Sequence, residues 1–521
     1  MSDFQDFSNL DQSYSIKADP SRCSFLRSLN ISDDVVRRLS LHLDRIVTGS
    51  DEVFLTPIGK DNDPSVVLSN FDKLFENNIA LMNKDLINLE LSNKSKYGPR
   101  SISKPWVDRK KSLTEYYKSV STNSPSVQKL ESGSLRPISI DSGIKLLKNN
   151  TNSGLPYYTR KSKVKEKLKD KFVYLLEQKY PCILFTRTQE GNKTRNVWGY
   201  PIADTLNELL YYSPLLDYQR RLGWRSALLG PELVDRSVTS LISNADKLGR
   251  KLLSVDFSAY DSSVNSNLQL NAFNYISSLF QSQFSEDINE LFVRFNSIGI
   301  ITPHGIMNGK HGVPSGSTFT NEVDSIVQYI IAREILPDNM MQIQGDDGAY
   351  SVEESNIQPL FDSFKHYGLN INVDKSYISD SFLIYLQKLY HKEYLKDGLI
   401  GGIYPVYRAL CRIIFQERYS DFEDYDIKGK DYYSIRTISI LENCKYHPLF
   451  PELVKFVYKL DKYSLSYTQQ AKANYFRMIA QGPGAGGLLV NQYGDRINGI
   501  DSFATVKLIN TSKRQVQSGY T

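Results

Sequence analysis

The alternation of apolar and polar residues divides the chain into recognisable elements. The first 90 residues are polar, with short helix-like pieces. One piece, "DDVVRRLSLHLDRIV", carries Val35, Leu39, Leu41 and Ile46 at roughly helical spacing. This spacing places the four side chains on one face, so it predicts an amphipathic helix.

The central third mixes strand and helix patterns. "KLLSV" is a short apolar run that predicts a buried strand, and an amphipathic helix is expected after it. "EVDSIVQYIIAREI" predicts a second helix, with Pro337 just beyond its end. "MMQIQ" and "GAYSV" predict two strands joined by a turn, and the chain beyond about residue 390 is Tyr-rich and mostly helical in pattern. The apolar positions are Leu268, Ala272, Phe273, Ile276, Leu279 and Phe280 in the first helix, and Val323, Ile326, Val327, Ile330, Ile331 and Ile335 in the second.

Composition and charge set only broad limits. The chain has 521 residues, 40% of them hydrophobic and 23% charged, which is typical of a globular protein with a large core. A net charge of +5 is compatible with a nucleic-acid partner without indicating one. We expect no secretory signal and no membrane span. The cysteines show no metal-ligand spacing, so we expect reduced core residues: Cys23, Cys182, Cys411 and Cys444.

The turn in "QIQGDDGAYSV" carries two adjacent carboxylates, Asp346 and Asp347. Asp and Gly are common turn residues, so a solvated turn explains this stretch on its own. Another acidic pair, Asp33 and Asp34, follows Ser32 and is explained by a helix start. A functional interpretation of Asp346 and Asp347 therefore requires other polar or charged residues that lie beside them.

The first candidate partners are Asp256 and Asp261 in "SVDFSAYDSS". Asp256 ends a buried-strand pattern, where a carboxylate needs a partner or a metal. If this strand lies beside the predicted hairpin, Asp256 faces Asp346. Converging carboxylates repel unless cations neutralise them, and two Mg²⁺ ions do so while leaving positions open for phosphate oxygens.

A polar loop precedes the second helix, in "HGVPSGSTFTNEVDS". Ser315, Thr320 and Asn321 place hydroxyl and amide groups at the helix start, and Gly316 loosens the turn. Helix capping explains this loop, and contact with a sugar–phosphate chain is the functional alternative.

Basic residues offer partners for phosphate. Arg187, Lys193 and Arg195 in "FTRTQEGNKTRNVWGYP" could clamp triphosphate oxygens, although a solvated loop is the simpler interpretation. Lys375 is predicted at the end of a short strand, where it could act as a general acid. The basic run "TRKSKVKEKLKDK" is either a solvated helix face or the wall of a phosphate-binding groove.

The order of these stretches resembles the palm of viral RNA-dependent RNA polymerases. The basic loop, the Asp256 stretch, the Ser-Gly loop, Gly-Asp-Asp and the lysine correspond to motifs F, A, B, C and D, over about residues 150 to 390. Upstream, "TNSGLPYY" resembles motif G, and downstream "FLIYLQKLY" falls where motif E joins palm to thumb. The wording of "GVPSGSTFTN" and "RNVWGYP" is most similar to small double-stranded-RNA viruses of the picobirnavirus type, with the partitivirus type as the second choice.

The resemblance implies specific roles. Asp256 and Asp346 would hold two Mg²⁺ ions, with Mn²⁺ as the alternative ion and Asp347 in support. Lys375 would protonate the leaving pyrophosphate, and Asp261 would sense the ribose 2′-OH. The remaining expected nucleotide-binding residues are Arg187, Lys193, Arg195, Ser315, Thr320 and Asn321, and the expected template-binding residues are Ser153, Gly154, Pro156, Ser315 and Gly316.

One position departs from the family pattern. Many positive-strand RNA virus polymerases carry an Asn where this chain has Asp324, and that Asn joins the 2′-OH network. Either Asn321 or Asp324 could complete the network here. Two alternatives to the polymerase also stay open: a reverse transcriptase, against which Asp261 argues, and an RNA-binding packaging or scaffold protein without activity.

The implied fold is α+β, a right hand with an antiparallel palm sheet and an N-terminal extension between fingers and thumb. The implied partners are RNA template and product, rNTPs and a viral capsid protein, inside the virus particle and in the host cytoplasm. The glycine loop at 482–487 and the tail after residue 510 are expected near the catalytic channel. The expected divisions are 1–90 extension, 91–195 fingers, 196–265 palm, 266–305 fingers, 306–391 palm, and 392–521 thumb and tail.

Overall fold

The computed structural model describes residues 24–118, 123–126, 133–479 and 499–518, and most of them are helical. The glycine loop expected at 482–487 lies outside the described residues, and of the expected tail only the backbone of a helix reaching Ser518 is described beyond residue 511. The helices are α1 (Ser24–Arg27), α2 (Asp33–Thr48), α3 (Pro57–Asp61), α4 (Pro64–Asn77), α5 (Lys84–Lys94), α6 (Trp106–Thr114), α7 (Ile140–Leu146), α8 (Leu168–Glu177), α9 (Ile202–Gln219), α10 (Pro231–Leu248), α11 (Tyr260–Ser263), α12 (Ser266–Leu279), α13 (Ser285–Ser297), α14 (Thr320–Arg333), α15 (Glu354–His366), α16 (Val406–Ile414), α17 (Gly429–Glu442), α18 (Phe450–Leu460), α19 (Gln469–Ile479) and α20 (Ala504–Ser518).

The described strands form two four-stranded sheets and two small hairpins. They are β1 (Cys182–Gln189), β2 (Lys193–Gly199), β3 (Lys251–Val255), β4 (Ile300–Thr302), β5 (Gly305–Met307), β6 (Met341–Gln344), β7 (Asp347–Val352), β8 (Tyr377–Ser379), β9 (Phe382–Tyr385), β10 (Lys388–His391), β11 (Leu395–Lys396) and β12 (Leu399–Ile400).

The central sheet has the order β6-β7-β3-β8 and is antiparallel throughout. Val255 at the end of β3 pairs with Gly348 near the start of β7. The chain segment that follows β3 therefore lies at the same edge as the turn between β6 and β7. The predicted strands "KLLSV", "MMQIQ" and "GAYSV" are confirmed, apart from one or two residues at their ends.

The second sheet has the order β2-β1-β4-β5, and its longest part is the antiparallel hairpin of β1 and β2. Glu190, Gly191 and Asn192 form the hairpin turn, in which Gly191 and Asn192 both have positive φ angles. Glycine and asparagine tolerate this conformation better than other residues, so the sequence favours a tight turn here.

The amino-terminal part of the chain contributes to two separate buried clusters. Helix α2 packs in the cluster that also holds β3 and α14. Helices α3, α4 and α5 supply Ile58, Phe71, Phe75 and Leu86 to a second cluster, which is built mainly from α16 to α20. Glu90 of α5 reinforces this contact, because its carboxylate accepts hydrogen bonds from the first backbone N–H groups of α16. Residues 24–90 thus connect the two buried clusters.

The predicted helices exist, but their burial differs from the pattern. In α2, Leu41 is exposed, and Leu43 is buried in its place. Helix α14 is buried on almost every side, and its buried residues include Asp324, Ser325 and Gln328. Helix α14 is buried in this way because it lies between the central sheet and α12 rather than on a surface.

One local prediction was wrong. Lys375 does not end a strand but closes a short 3₁₀ turn, Val373–Lys375, before β8. The basic run at 160–171 forms two 3₁₀ turns and only the start of α8.

Among the described helices, none is long and apolar enough to cross a bilayer. Cys182, Cys411 and Cys444 are buried and form no disulfide among the described residues, and Cys23 lies outside them.

Candidate active site

The turn between β6 and β7 presents the acidic pair. Gln344 and Asp347 form the last cross-strand pair, so Gly345 and Asp346 are the two turn residues. Gly345 has φ +65°, as a two-residue hairpin of the primed type requires at its first position. Asp346 is exposed, and Asp347 is half-buried at the start of β7.

Helix α14 supports this acidic turn through polar side chains on one stripe. Ser325 Oγ accepts a 2.7 Å hydrogen bond from the backbone N–H of Gly345. Gln328 Nε2 donates to the backbone carbonyl of Asp346 at 3.3 Å. A Cβ atom at Gly345 would lie 3.1 Å from Nδ2 of Asn321. The turn is therefore held by α14, through Ser325 and Gln328, which the sequence pattern did not single out, and close to Asn321, which it did.

A buried ion pair lies behind Asn321. Arg225 Nη2 contacts Oε1 of Glu322 at 2.8 Å, and both side chains are almost completely buried. The same nitrogen donates to Oδ1 of Asn321 at 3.3 Å. Because its oxygen is held by Arg225, Asn321 is oriented by this pair. Arg225 could not be identified from the sequence, because its partner Glu322 lies 97 residues further along the chain.

Asp256 follows β3 and lies opposite the acidic turn. Its backbone carbonyl accepts from the N–H of Asn372 at 2.8 Å, and its N–H donates to Ser376 Oγ at 3.1 Å. Burial raises the pKa of the Asp256 carboxyl, Lys375 opposes this rise, and the charge of Asp346 adds to it. Asp256 and Asp346 are therefore within electrostatic range of each other.

The pKa of Asp347 is affected by the neighbouring carboxylates of Asp346 and Asp256. Burial, followed by the charges of Asp346 and Asp256, raises its pKa to about 8. Carboxylates that destabilise one another in this way suit hard divalent cations, which neutralise the group and accept oxygen ligands. In the described part of the chain, no group of three or more His, Cys, Asp or Glu side chains is already arranged as a metal-ligand set.

Asp261 and Asp324 form a carboxyl pair beside this site. Their side chains interact with each other electrostatically, and Asp324 is 4% exposed. Burial and the charge of Asp346 raise the pKa of Asp261 to about 6, while Arg195 and Asp324 oppose this rise. Burial and the charges of Asp261 and Asp346 raise the pKa of Asp324. A hydrogen bond between the two carboxyl groups would require one of them to carry a proton.

The polar loop before α14 is fixed by contacts with the second sheet and α9. Ser315 Oγ donates to the backbone carbonyl of Asn196 at 3.0 Å. A Cβ at Gly316 would come within 1.7 Å of the carbonyl oxygen of Trp198, so only glycine fits. Thr320 Oγ1 donates to the carbonyls of Pro314 and Ser317 at 2.8 and 2.9 Å. Thr320 thus stabilises the loop, and its predicted nucleotide contact stays untested.

Glu208 of α9 also holds this loop, although it was not among the expected site residues. Its carboxylate accepts from Ser317 Oγ and from the N–H of Thr318, both at 2.7 Å. Burial raises the pKa of Glu208 to about 7, against the effect of these two donors. The partner lies 109 residues away, which explains why the pattern did not reveal it.

Basic side chains face the carboxylates. Burial, Arg195 and Lys375 lower the pKa of Lys193, and Asp256 and Asp346 oppose this shift. These five groups therefore lie within electrostatic range of one another. Arg187 is directed elsewhere, since its guanidinium lies 3.6 Å from Glu417.

The loop expected to guide template is compact. Ser153 is completely buried, and its Oγ accepts from the N–H of Thr159 at 3.2 Å. Gly154 has φ +59°, and a Cβ there would lie 2.3 Å from the carbonyl oxygen of Tyr200. Pro156 is half-buried. Ser153 and Gly154 thus stabilise the loop as buried residues. Direct contact with template stays a prediction, and of the three residues Pro156 is the most accessible for it.

An antiparallel sheet with acidic residues at one edge, opposed by a basic hairpin, defines the palm of a template-dependent polymerase. The family of viral RNA-dependent RNA polymerases matches residues 61–397. The chain belongs to this family and is an RNA-directed RNA polymerase with the right-hand fold.

Individual relatives indicate which type of viral polymerase the chain resembles. The chain is 30% identical to a potential RNA-dependent RNA polymerase of a human picobirnavirus over 463 residues, covering 81% of this chain and 85% of that protein. It is 26% identical to the RNA-directed RNA polymerase of Cryptosporidium parvum virus 1 over 283 residues, covering 48% and 53%. The crystal structure of a human picobirnavirus polymerase superposes with a TM-score of 0.76 at 26% identity, covering 95% of this chain and 99% of the other. The resemblance to the picobirnavirus type is confirmed.

Proposed function

We propose that the enzyme transfers nucleotides from rNTPs to a growing RNA strand on an RNA template, and so replicates and transcribes a viral double-stranded RNA genome. The observation that carries the proposal is the electrostatic convergence of Asp256, Asp346 and Asp347, with Lys193 and Lys375 facing them. This is the charge pattern that a metal-bound triphosphate requires, with oxygen ligands on one side and ammonium groups on the other.

The three carboxylates fit divalent ions. Asp256 and Asp346 would hold two Mg²⁺ ions, with Asp347 in support, and the raised pKa of Asp347 shows how strongly the group needs a counter-charge. When bound, such ions neutralise the carboxylates, activate the attacking hydroxyl and stabilise the leaving oxygen. Mn²⁺ has the same preference for oxygen ligands and is the alternative ion.

The basic residues handle the triphosphate. Lys193 and Arg195 at the start of β2 would bind its oxygens, because both interact electrostatically with the acidic cluster that receives the α-phosphate. Lys375 is exposed and close enough to Asp256 to influence its pKa, so its ammonium can donate a proton to the departing pyrophosphate. Arg187 would act by holding the hairpin against Glu417, rather than by contacting nucleotide directly.

The protonated pair of Asp261 and Asp324 would select ribose. A protonated Asp324 donates a hydrogen bond to Asp261, as the amide of an Asn at this position would. Asp261 then keeps an oxygen free to accept from the 2′-OH. This assigns the network to Asp324 and leaves Asn321 as a support of the acidic turn, since Asn321 contacts Arg225 and approaches Gly345.

The sequence divisions at 91–195 and 266–305 are assigned to fingers, 196–265 and 306–391 to palm, and 392–521 to thumb and tail. The contacts of α2 with the first cluster and of α3 to α5 with the second support a bridging role for residues 1–90. A polymerase of this type would work with RNA template and product inside a particle of viral capsid protein and in the host cytoplasm.

The test is incorporation of labelled rNTP on a short single-stranded RNA template, with and without a primer and with and without Mg²⁺. Asp346→Ala is compared with the wild type, and Asp362→Ala, an exposed acid on α15, is the matched control. We expect Mg²⁺-dependent, template-length product from the wild type and the control only.

Other outcomes would each contradict the proposal in a different way. Preference for dNTPs would indicate a reverse transcriptase. RNA binding without synthesis under any metal or primer condition would indicate an RNA-binding scaffold. Normal synthesis by Asp346→Ala would remove this residue from the site.

A further inference from the structure

The turn of the basic hairpin carries an acidic residue, Glu190, that no role described above uses. Its Oε1 lies 2.7 Å from Nη2 of Arg408 and 3.7 Å from Nη2 of Arg412. Its Oε2 lies 3.2 Å from Nε of Arg100. All four side chains are between 6% and 15% exposed, so this is an internal ion cluster rather than a surface salt bridge.

The four members come from three distant parts of the chain. Glu190 lies between β1 and β2, Arg100 lies between α5 and α6, and Arg408 and Arg412 lie one turn apart on α16. The cluster is therefore the point where the basic hairpin meets both the amino-terminal segment and the helix at the start of the last third of the chain.

Three guanidinium groups set the electrostatic environment of Glu190 in this Glu190 cluster. Burial acts to raise the pKa of Glu190, but the three guanidinium groups outweigh it and lower the pKa to about 2. One carboxylate faces three arginines, and Nε of Arg408 is buried without a hydrogen-bond partner among the described residues. Without Glu190, three cations would repel one another in a poorly solvated space, so the turn depends on this carboxylate for its place.

The cluster lies close to the active site. Burial, Arg408 and Lys375 lower the pKa of Lys96, and the charges of Glu190 and Asp256 oppose the shift. Lys96 is thus within electrostatic range of both the cluster and a catalytic carboxylate. Any displacement of the Glu190 turn moves Lys193, which begins β2 only three residues later.

We propose that Glu190 is a positioning residue for the incoming nucleotide. Glu190 joins the hairpin turn to Arg100, Arg408 and Arg412 through ion pairs. These ion pairs fix the positions of Lys193 and Arg195, so that both side chains can contact the triphosphate. This inference rests on the proposed polymerase function. Glu190 touches no reacting atom, so its effect reaches the nucleotide only through the hairpin.

The experiment measures rNTP saturation curves with the full-length enzyme on a single-stranded RNA template in Mg²⁺. Glu190→Gln keeps the size of the side chain and removes its charge. We expect the rNTP KM to rise about tenfold or more, because small displacements of binding groups are costly, while kcat changes little. Asp421→Asn is the matched control, since Asp421 forms an exposed ion pair with Arg160 and should leave KM unchanged.

A double-mutant cycle separates positioning from a general loss of stability. If Glu190 acts through Lys193, then Glu190→Gln adds little to the KM of Lys193→Ala. Arg408→Gln gives a second route to the same result from α16, in case Glu190→Gln fails to fold, because it leaves the contact between Arg100 and Glu190 intact.

Three results would overturn the inference: an unchanged KM in folded Glu190→Gln, a fall in kcat at constant KM, or additive effects with Lys193→Ala. Absence of synthesis by the wild type is a different result, since it overturns the proposed function itself.

Discussion

Two hairpins carry charged residues of the candidate site, and their turns are held in different ways. The acidic turn at Gly345 and Asp346 is held by neutral hydrogen bonds with Ser325, which accepts, and Gln328, which donates, on one helix that is close in sequence. The basic turn at Glu190 is held by ion pairs from Arg100, Arg408 and Arg412, which lie far away in the chain. The difference follows from what each turn carries, because a site that concentrates negative charge cannot be supported by further charges without changing its own electrostatics.

The comparison implies a division of labour. In the proposed mechanism, the contacts of the acidic turn set the geometry of the carboxylates and so the rate of the chemical step. The contacts of the basic turn set the positions of Lys193 and Arg195, which are proposed to bind triphosphate, and so the affinity for nucleotide. Substitutions at the two turns should therefore separate into effects on kcat and effects on KM.

The largest of these effects is expected for Lys193→Ala combined with Arg195→Ala. Two charge-assisted contacts with triphosphate are lost, so kcat/KM for rNTPs should fall by about a hundredfold or more, mainly through KM. Steady-state kinetics on a fixed template measure this. Lys179→Ala, a lysine near the beginning of β1 but outside the site, is the control, and an unchanged KM in the double variant would remove both residues from nucleotide binding.

Ser325→Ala tests the acidic turn. Loss of Oγ leaves the buried N–H of Gly345 without its acceptor, which costs about 1–3 kcal/mol. We expect kcat to fall about tenfold while the rNTP KM stays near the wild-type value. Ser439→Ala removes a hydroxyl that bonds within α17, away from the site, and serves as the control. A rise in KM without a change in kcat would contradict the division of labour.

Asp324→Asn is expected to have a smaller effect. The amide still donates to Asp261, so discrimination between rNTP and dNTP should stay within about threefold of the wild type, whereas Asp324→Ala should lose most of it. Competition between ATP and dATP during elongation gives the ratio. Equal loss in both variants would show that the network needs the carboxyl itself, and loss in neither would exclude Asp324 from it.

The last prediction concerns stability rather than kinetics. The pKa of Glu208 is raised to about 7 in the folded state, from 4.5, so its contribution to stability is present below about pH 4.5 and is lost as the pH rises through 7. Relative to Glu208→Gln, the wild type should lose up to about 3 kcal/mol of unfolding free energy between pH 5 and 9. Denaturant titrations at several pH values measure the difference, and two parallel pH profiles would contradict the assigned pKa.

The sequence predicted well what depends on neighbours along the chain. Strands β3, β6 and β7 follow from short apolar runs, and their order around Asp256 and Asp346 follows from the family motifs. Lys375 was assigned to a strand because "NINV" alternates, but Asn372 uses its backbone to contact Asp256, which bends the chain into a turn.

What the sequence could not predict depends on distant partners. Glu190 was present in the basic loop but had no apparent role, because its arginines are 90 residues before it and more than 200 residues after it. Ser325 and Gln328 were hidden in an apolar helix, since only the packing of α14 under the hairpin reveals their purpose. The divisions between fingers, palm and thumb remain predictions. The two buried clusters do not end at the predicted limits of these divisions.

The amino-terminal segment has a consequence for the order in which the protein is made. Thr56 donates to the carbonyl of Ile413, a partner 357 residues later in the chain. At about 5–20 residues per second, a ribosome needs roughly 20–70 s to supply that partner. Until then, the apolar surfaces of Phe71 and Phe75 have nothing to pack against, although the carboxylates of the central sheet have already been synthesised. Arg408 and Arg412, the partners of Glu190, emerge in the same late interval. A nascent chain therefore contains Asp256 and Asp346 well before it contains the arginines that hold the Glu190 turn, so the complete set of contacts around the candidate site forms only late in translation.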